Sequence, residues 1–330
     1  MSAVFICGSG LSLGEYEESN GEVAQRLNIS EEDILSKSGI KKRFIAKNTS
    51  NLKLGCDAFR NAIENYDINL KTVDGVIVCS FTNDYVFPNI ASAVSKEFDL
   101  SSVFAFDVQA NCAGLQVGLN IARDKLLANK DMKKIAVIAI AKQSPFLNPV
   151  DINTAYFFSD AASCLILEAK DSSHAGLMNP VSKVVTSNYE AVRLRAGGAE
   201  YRNFSSLEDK TKFYEHAGMA VWKETIVQIP KIIRETLIKY NWNLEEVDYI
   251  LMHQANLRLM EFIFARLSVP LDKTILTIED MGNTADASLG TVIHKALDND
   301  FFEPGMKILL LSVGSGFIYE CGGYIPGEKV

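Results

Sequence analysis

Short apolar runs rich in β-branched residues alternate along this chain with longer segments in which apolar positions recur every three to four residues. The runs Ala3–Cys7, Val73–Cys79, Val103–Val108, Lys134–Ile140, Tyr249–Met252 and Lys307–Val313 predict strands buried on both faces. The longer segments predict helices over Glu22–Arg26, Glu31–Ser36, Leu52–Asn65 and Ala113–Ala128, the last with Leu115, Leu119, Ala122 and Leu126 at helical spacing. Strands alternating with helices imply mostly parallel sheets covered by helices. The glycines of GSGLSLG, after the first strand, lack the spacing of a phosphate-binding loop and read as a turn.

The pattern repeats. NLKTVDGVIVCS at Asn69–Ser80 returns as NLEEVDYILMHQ at Asn243–Gln254, an offset of 174 residues, and KIAVIAI at Lys134–Ile140 returns as KILLLSV at Lys307–Val313, an offset of 173. FDVQANCAGLQVG is echoed by ILTIEDMGNTADASLG, with Asn111 answering Asn283 and Ala113 answering Ala285 at an offset of 172. Three matches in one order imply a duplicated α/β unit, divided as 1–172 and 173–330. The period is too long for a solenoid.

The totals narrow the function classes. Of 330 residues, 48% are hydrophobic and 22% charged, and the net charge is −8. That balance argues against a nucleic-acid or anionic-membrane binder, which needs clustered Lys and Arg. No apolar stretch approaches the ~20 residues of a membrane helix, and MSAVFICGSG lacks the basic start of a signal peptide. The six cysteines show no CxxC pairing, so neither a zinc site nor a disulfide framework is indicated and a reducing cytoplasm is expected.

Candidate chemistry gathers at strand ends. Cys112 falls at the corner between a strand and the helix from Ala113, where unpaired amides and the helix dipole favour a thiolate. His253 ends the strand Tyr249–Met252, and Asn283 stands one residue before the position that answers Cys112. In α/β sheets ligands bind at the carboxyl ends of strands, so these three side chains are expected to face one cleft. Each has a plainer explanation: a small buried thiol, a core histidine, and an N-cap for a helix over Thr284–Leu297. Cys7, Cys79, Cys164 and Cys321 lie in apolar strand-like runs and are expected to be core.

The stretches ANCAGLQVGLNIA around Cys112, HQANLRLMEFIFARL from His253 and GNTADAS around Asn283 resemble the β-ketoacyl-acyl-carrier-protein synthase III family. SGIKKRFIA, VFPNIAS, SDAASCLILE and VGSGF extend the resemblance over essentially the whole chain. It implies a thiolase-like fold, duplicated α/β halves in a layered αβαβα arrangement, the first carrying the nucleophile and the second the His and Asn. It implies a homodimeric acyltransferase with no cofactor and no metal, whose partners are acyl carrier protein and an acyl-CoA or acyl carrier donor. Cys112 would accept the acyl group, and malonyl carrier protein would then lose carbon dioxide. His253 and Asn283 would stabilise the enolate, and the Cys112 and Gly316 amides would form the oxyanion hole. Phe87 would wall the partner's acyl pocket, and Lys223, Arg258 and Arg266 would dock the acidic carrier. His216, where the family more often has Met, is a candidate pocket-lining residue.

The chain departs from the family at three further places. Asp33 and Ile152 stand where members primed by acyl-CoA have the Trp and Arg that sandwich adenine, which disfavours acetyl-CoA as donor. Asp286 replaces a small apolar residue and is expected to face away from the cleft. The alternative reading passes the acyl group from Cys112 to an O, N or C nucleophile without decarboxylation. A Cys-His-Asn hydrolase leaves the repeat unexplained, and a non-catalytic synthase subunit would commonly lack the nucleophile.

Overall fold

The computed structural model describes residues 2–199 and 209–328. Its main sheet runs, from edge to edge, through Tyr249–Met252, Ile308–Gly314, Ile318–Ile325, Gly176–Leu177, Ser2–Leu13, Ala161–Asp171, Lys134–Ala141, Val73–Cys79 and Phe104–Val108. Val181–Val184 also pairs with Ile318–Ile325. The strands of the repeat are parallel, Val73–Cys79 between Phe104–Val108 and Lys134–Ala141, and Tyr249–Met252 beside Ile308–Gly314.

Beyond them the expectation of mostly parallel sheets fails. Ala161–Asp171 is antiparallel to both neighbours, and Ile318–Ile325 is antiparallel to Ile308–Gly314. The link from Gly314 to Ile318 is too short for the crossover that a parallel partner needs. Gly176–Leu177 pairs with Ser2–Leu13 on one side and Ile318–Ile325 on the other, so one ladder spans both halves.

Alternation of strand side chains builds the layers. Ile77, Val137 and Leu165 of the first half and Leu251 and Leu310 of the second share one core with Leu115 and Leu119 of the helix Gly114–Ala128 and Leu289 and Val292 of the helix Ser288–Asp298. Val76, Val78 and Ile138 pack instead on Leu54, Phe59 and Val94 from the helices Asn51–Asn65 and Ile90–Glu97. Ile250, Leu309 and Leu311 pack on Ile229, Ile232 and Ile263 from Gly218–Tyr240 and Leu257–Leu267. The two central helices are thus enclosed between sheet halves with further helices outside, the αβαβα order.

The first strand is longer than its apolar run, because Ser2–Leu13 continues through Gly8 and Gly10 of the stretch read as a turn. A Cβ on Gly10 would come within 2.1 Å of Ala58 O, so glycine there lets the helix Asn51–Asn65 lie directly on the strand.

The duplication is visible in individual bonds. Asn69 and Asn243 precede equivalent 3-10 turns, and Asp74 accepts from Lys133 N at 2.6 Å as Asp248 accepts from Lys307 N at 2.7 Å. At the corners the register is 174 and not the 172 that matching asparagines gives. Asn111 and Ala285 both have positive φ, 50° and 44°, and each opens a 3-10 turn, Asn111–Ala113 and Ala285–Ala287, leading into a central helix. The turns close alike, Ala113 N on Ala110 O at 3.1 Å and Ala287 N on Thr284 O at 3.0 Å. Backbone conformation therefore makes Asp286 the counterpart of Cys112.

Asp160 holds the loops over the first half. Fully buried, it accepts from Ala46 N at 2.8 Å, Gln143 N at 2.7 Å, Ser144 N at 2.9 Å and Ser144 Oγ at 2.5 Å. Asp160→Ala leaves these donors unsatisfied and is expected to cost roughly 3 kcal/mol or more, read from the urea midpoint at unchanged slope.

Candidate active site

Cys112 occupies the middle of the turn Asn111–Ala113, between the strand Phe104–Val108 and the helix Gly114–Ala128. Asn111 Nδ2 donates to Ser315 O at 3.1 Å, which ties this turn to the loop that carries Gly316, itself at φ 128°. A Cβ on Gly314 would meet Ala110 O at 2.5 Å, so the end of the strand Ile308–Gly314 lies against the nucleophile's corner. The expected ease of ionisation is not found. Burial pushes the thiol well up and the Asp286 carboxyl pushes it further, while the Cys112 backbone N–H only partly offsets them. At rest the sulfur is a thiol.

His253 continues the strand Tyr249–Met252, its N–H donating to Leu311 O at 2.9 Å. Burial pulls its imidazole down to about 4, so it is neutral at pH 7, and Nδ1 has no partner among the described residues. Asn283 is pinned by its backbone, donating to Phe157 O at 2.8 Å and accepting from Ser159 N at 2.9 Å. Its side-chain Oδ1 accepts from Ala285 N at 2.9 Å, which commits the oxygen and leaves the amide nitrogen as the free end. The plain capping role and a donor role coexist. The helix that follows begins at Ser288, after the turn, and not at Thr284. Ser288 Oγ accepts from Gln254 N at 2.8 Å and so joins the His253 segment to the Asn283 segment.

Asp286 does not face away. It is 1% exposed, neither oxygen makes a well-formed hydrogen bond among the described residues, and Oδ1 sits where a Gly114 Cβ would meet it at 2.4 Å. Burial holds its carboxyl well above the carboxylate range, with the Gly114 N–H opposing only in part. It reaches the Cys112 corner because its own turn is the symmetry counterpart of that corner. The effect falls on Cys112, whereas the His253 shift has burial as its cause.

Tyr214 gave no signal in the sequence. Its hydroxyl is buried without a partner among the described residues, and its ring meets Phe158 edge-on at 5.7 Å, Phe158 in turn forming a β-bridge with Asn283. Burial, then Cys112 and Asp286, raise this phenol well above its usual value. His216 has a buried Nδ1 without a partner among the described residues and a pKa lowered by burial. Cys79, Cys164 and Cys321 are fully buried in strands, and Cys7 is partly buried.

The remaining candidates lie at the surface. Phe87 is 82% exposed beside equally exposed Tyr85 and Val86. Lys223 is exposed, and Arg266 lines a groove of about 360 Å³ with Lys231 and Arg234. Arg258 is less free for docking. Its guanidinium pairs with Glu261 at 2.8 and 2.9 Å and donates to Leu35 O and Ser36 O, clamping two helices together. Asp33 closes a capping box with Ser30, and Ile152 is 42% exposed.

Known proteins bear on this site. The family model for 3-oxoacyl-[acyl-carrier-protein] synthase III matches residues 106–183, and the model for its C-terminal part matches residues 237–323. The chain is 28% identical over 305 residues to a β-ketoacyl-[acyl-carrier-protein] synthase III of Bacillus cereus, 91% of each protein. It is 29% identical over 322 residues to that of Wolbachia pipientis, covering 97% of this chain and 98% of the other. Among solved structures it resembles the 3-oxoacyl-(acyl carrier protein) synthase III of Pseudomonas aeruginosa, with a TM-score of 0.90, 23% identity and 99% of both chains covered. A priming β-ketosynthase from a polyketide pathway gives a TM-score of 0.89 at 23% identity, over 99% of this chain and 97% of the other. No described helix is long and apolar enough to cross a membrane.

Proposed function

The chain belongs to the 3-oxoacyl-[acyl-carrier-protein] synthase III family, and from that premise we propose that it joins an acyl group held on Cys112 to malonyl carrier protein by decarboxylative Claisen condensation. It is a condensing transferase. The observation that carries the reading is the local geometry of Asn283, whose oxygen is committed to Ala285 N so that its amide nitrogen is left to donate, together with a neutral His253 whose segment is bonded to the Asn283 segment through Gln254 N and Ser288 Oγ. Two neutral donors suit an oxygen on which negative charge develops, as on the enolate formed when malonyl thioester loses carbon dioxide. Acyl transfer to an O, N or C nucleophile without decarboxylation needs no such pair.

In the first step the Cys112 sulfur attacks the acyl thioester carbonyl, with the Cys112 and Gly316 amides as oxyanion donors. Carbon dioxide release from malonyl thioester, measured with wild type and Asn283→Ala, separates the two readings. No release from wild type would remove decarboxylation from the account, and release that is independent of Asn283 would remove Asn283 as its donor.

Homodimerisation is part of the proposal. Three consecutive exposed apolar side chains, Tyr85, Val86 and Phe87, are a costly surface for a monomer and suit burial against a second copy. For the carrier, Lys223 and Arg266 are the better candidates, since Arg258 is paired.

Without an aromatic ring at Asp33 or a cation at Ile152 an adenine is not gripped, and Glu31 and Glu32 add negative charge beside Asp33. Acyl carrier donors should label Cys112 at least about tenfold more efficiently than acetyl-CoA, the equivalent of about 1.4 kcal/mol. Intact-mass analysis across a donor panel checks this, and equal labelling by acetyl-CoA at low micromolar concentration would refute it.

A further inference from the structure

Asp286 has no part in the condensation just proposed, yet its carboxyl is built into the nucleophile's surroundings. The turns Asn111–Ala113 and Ala285–Ala287 pack against one another with matching backbone, so their middle residues, Cys112 and Asp286, are presented toward one centre by the two halves of the duplication. The carboxyl fills the space beside Gly114, the first residue of the helix after Cys112, and a side chain there would collide with Oδ1. Among the described residues neither oxygen makes a well-formed hydrogen bond, the Gly114 N–H only lying toward the carboxyl. A buried carboxyl without a donor is expensive to keep, and one that persists calls for a ligand, a water or a reaction to account for it. The group beside it that must give up a proton in acyl transfer is the Cys112 thiol.

We infer that Asp286 is the proton partner of Cys112 in the acylation step, an inference that rests on the acyl-Cys112 reading. Two acidic groups buried together hold one negative charge more easily than two, so the reactive form of the pair is a single anion shared between carboxylate and sulfur. As the sulfur attacks, its S–H bond breaks, the proton passes to the Asp286 carboxylate and the new S–C bond forms. When the tetrahedral intermediate collapses, the donor's C–S bond breaks and the departing thiolate takes the proton from Asp286. The proton count closes without another reactant. The ionisable groups facing Asp286 are Cys112 and Cys79 of the first half and Tyr214. Cys79 and Tyr214, raised well above their usual range chiefly by burial, have no proton to lose in acyl transfer, which leaves Cys112 and Asp286 as the pair that exchanges one.

The test uses the full chain as wild type, Asp286→Ala and Asp286→Asn, the alanine matching the small residue usual in relatives of this family. Single-turnover acylation by an acyl carrier donor is followed by intact mass, and alkylation of Cys112 by iodoacetamide is followed from pH 6 to 10. With the carboxyl gone, acylation should fall about 10²-fold. The alkylation profile should meanwhile move down by about one pH unit, because the opposing anion has been removed. Those opposite movements are not expected of a residue that only fills space. Both variants acylating at the wild-type rate or faster would overturn the inference, as would an unchanged alkylation profile. Absence of any acyl adduct on wild type would instead sink the acyl-Cys112 reading itself.

Discussion

Cys112→Ala protein mixed with an acyl carrier donor should show no mass increase, and condensation should fall by on the order of 10⁴-fold or more, since a covalent step has no substitute when its nucleophile is gone. Relocation of the adduct to another thiol is not expected. Cys79, Cys164 and Cys321 are fully buried in strands, Cys56 is buried in the helix Asn51–Asn65, and Cys7 is partly buried within the first strand. The residue at 112 has few packing obligations of its own, because the turn is closed by Ala110 and Ala113 and fastened by Asn111 to Ser315. The alanine protein should therefore unfold within about 1 kcal/mol of wild type, so the loss is chemical. Persistent condensation by Cys112→Ala, or an adduct mapped elsewhere, would move the nucleophile.

Asn283→Ala should separate the two half-reactions. Acylation of Cys112 should stay within a few-fold of wild type, while carbon dioxide release should fall about 10²- to 10³-fold, the usual cost of one oxyanion donor. Part of any stability change has another origin, since Asn283 Oδ1 satisfies Ala285 N and losing such a cap costs about 1 kcal/mol. The companion donor sets the pH dependence. With the His253 imidazole pulled down to about 4, the decarboxylation half-reaction should be flat from about pH 5 upward as far as this group is concerned, and should decline as pH falls through 4. The same shift bears on folding. The folded chain keeps His253 neutral where a free imidazole would protonate near 6.5, so its stabilising share is complete above 6.5 and is lost as pH falls toward 4. A decarboxylation profile with a midpoint near 6.5 would show that this ring is not held as described.

Much of this was legible in the residues, for reasons that differ from place to place. Central strands and helices follow from apolar periodicity because they are buried on both sides, and Asp74 and Asp248 were detectable as a repeat because each does the same job at the start of a parallel pair. Matching letters misled at the corner, where Asn111 corresponds to Ala285 and not to Asn283. Positive φ and a closing Ala bond define the equivalence there, and different residue types meet both. Asp286 was misread for the same reason, since a two-residue slip hid that it stands opposite Cys112. The first strand was cut short because glycine, usually a breaker, here serves close packing. The carbonyl partners of Arg258 were invisible, because Leu35 and Ser36 lie more than two hundred residues earlier in the chain.

The seam between the halves bears on how the molecule comes to be. Gly176–Leu177 is bonded on one side to the strand nearest the amino end and on the other to Ile318–Ile325. A nascent chain can collapse its first half early, but the shared edge stays open until Ile318–Ile325 has left the ribosome. Sequence separations of this size slow folding and leave a raw strand edge waiting for its mate. Duplication has thus produced a molecule that is two units in ancestry and one in assembly.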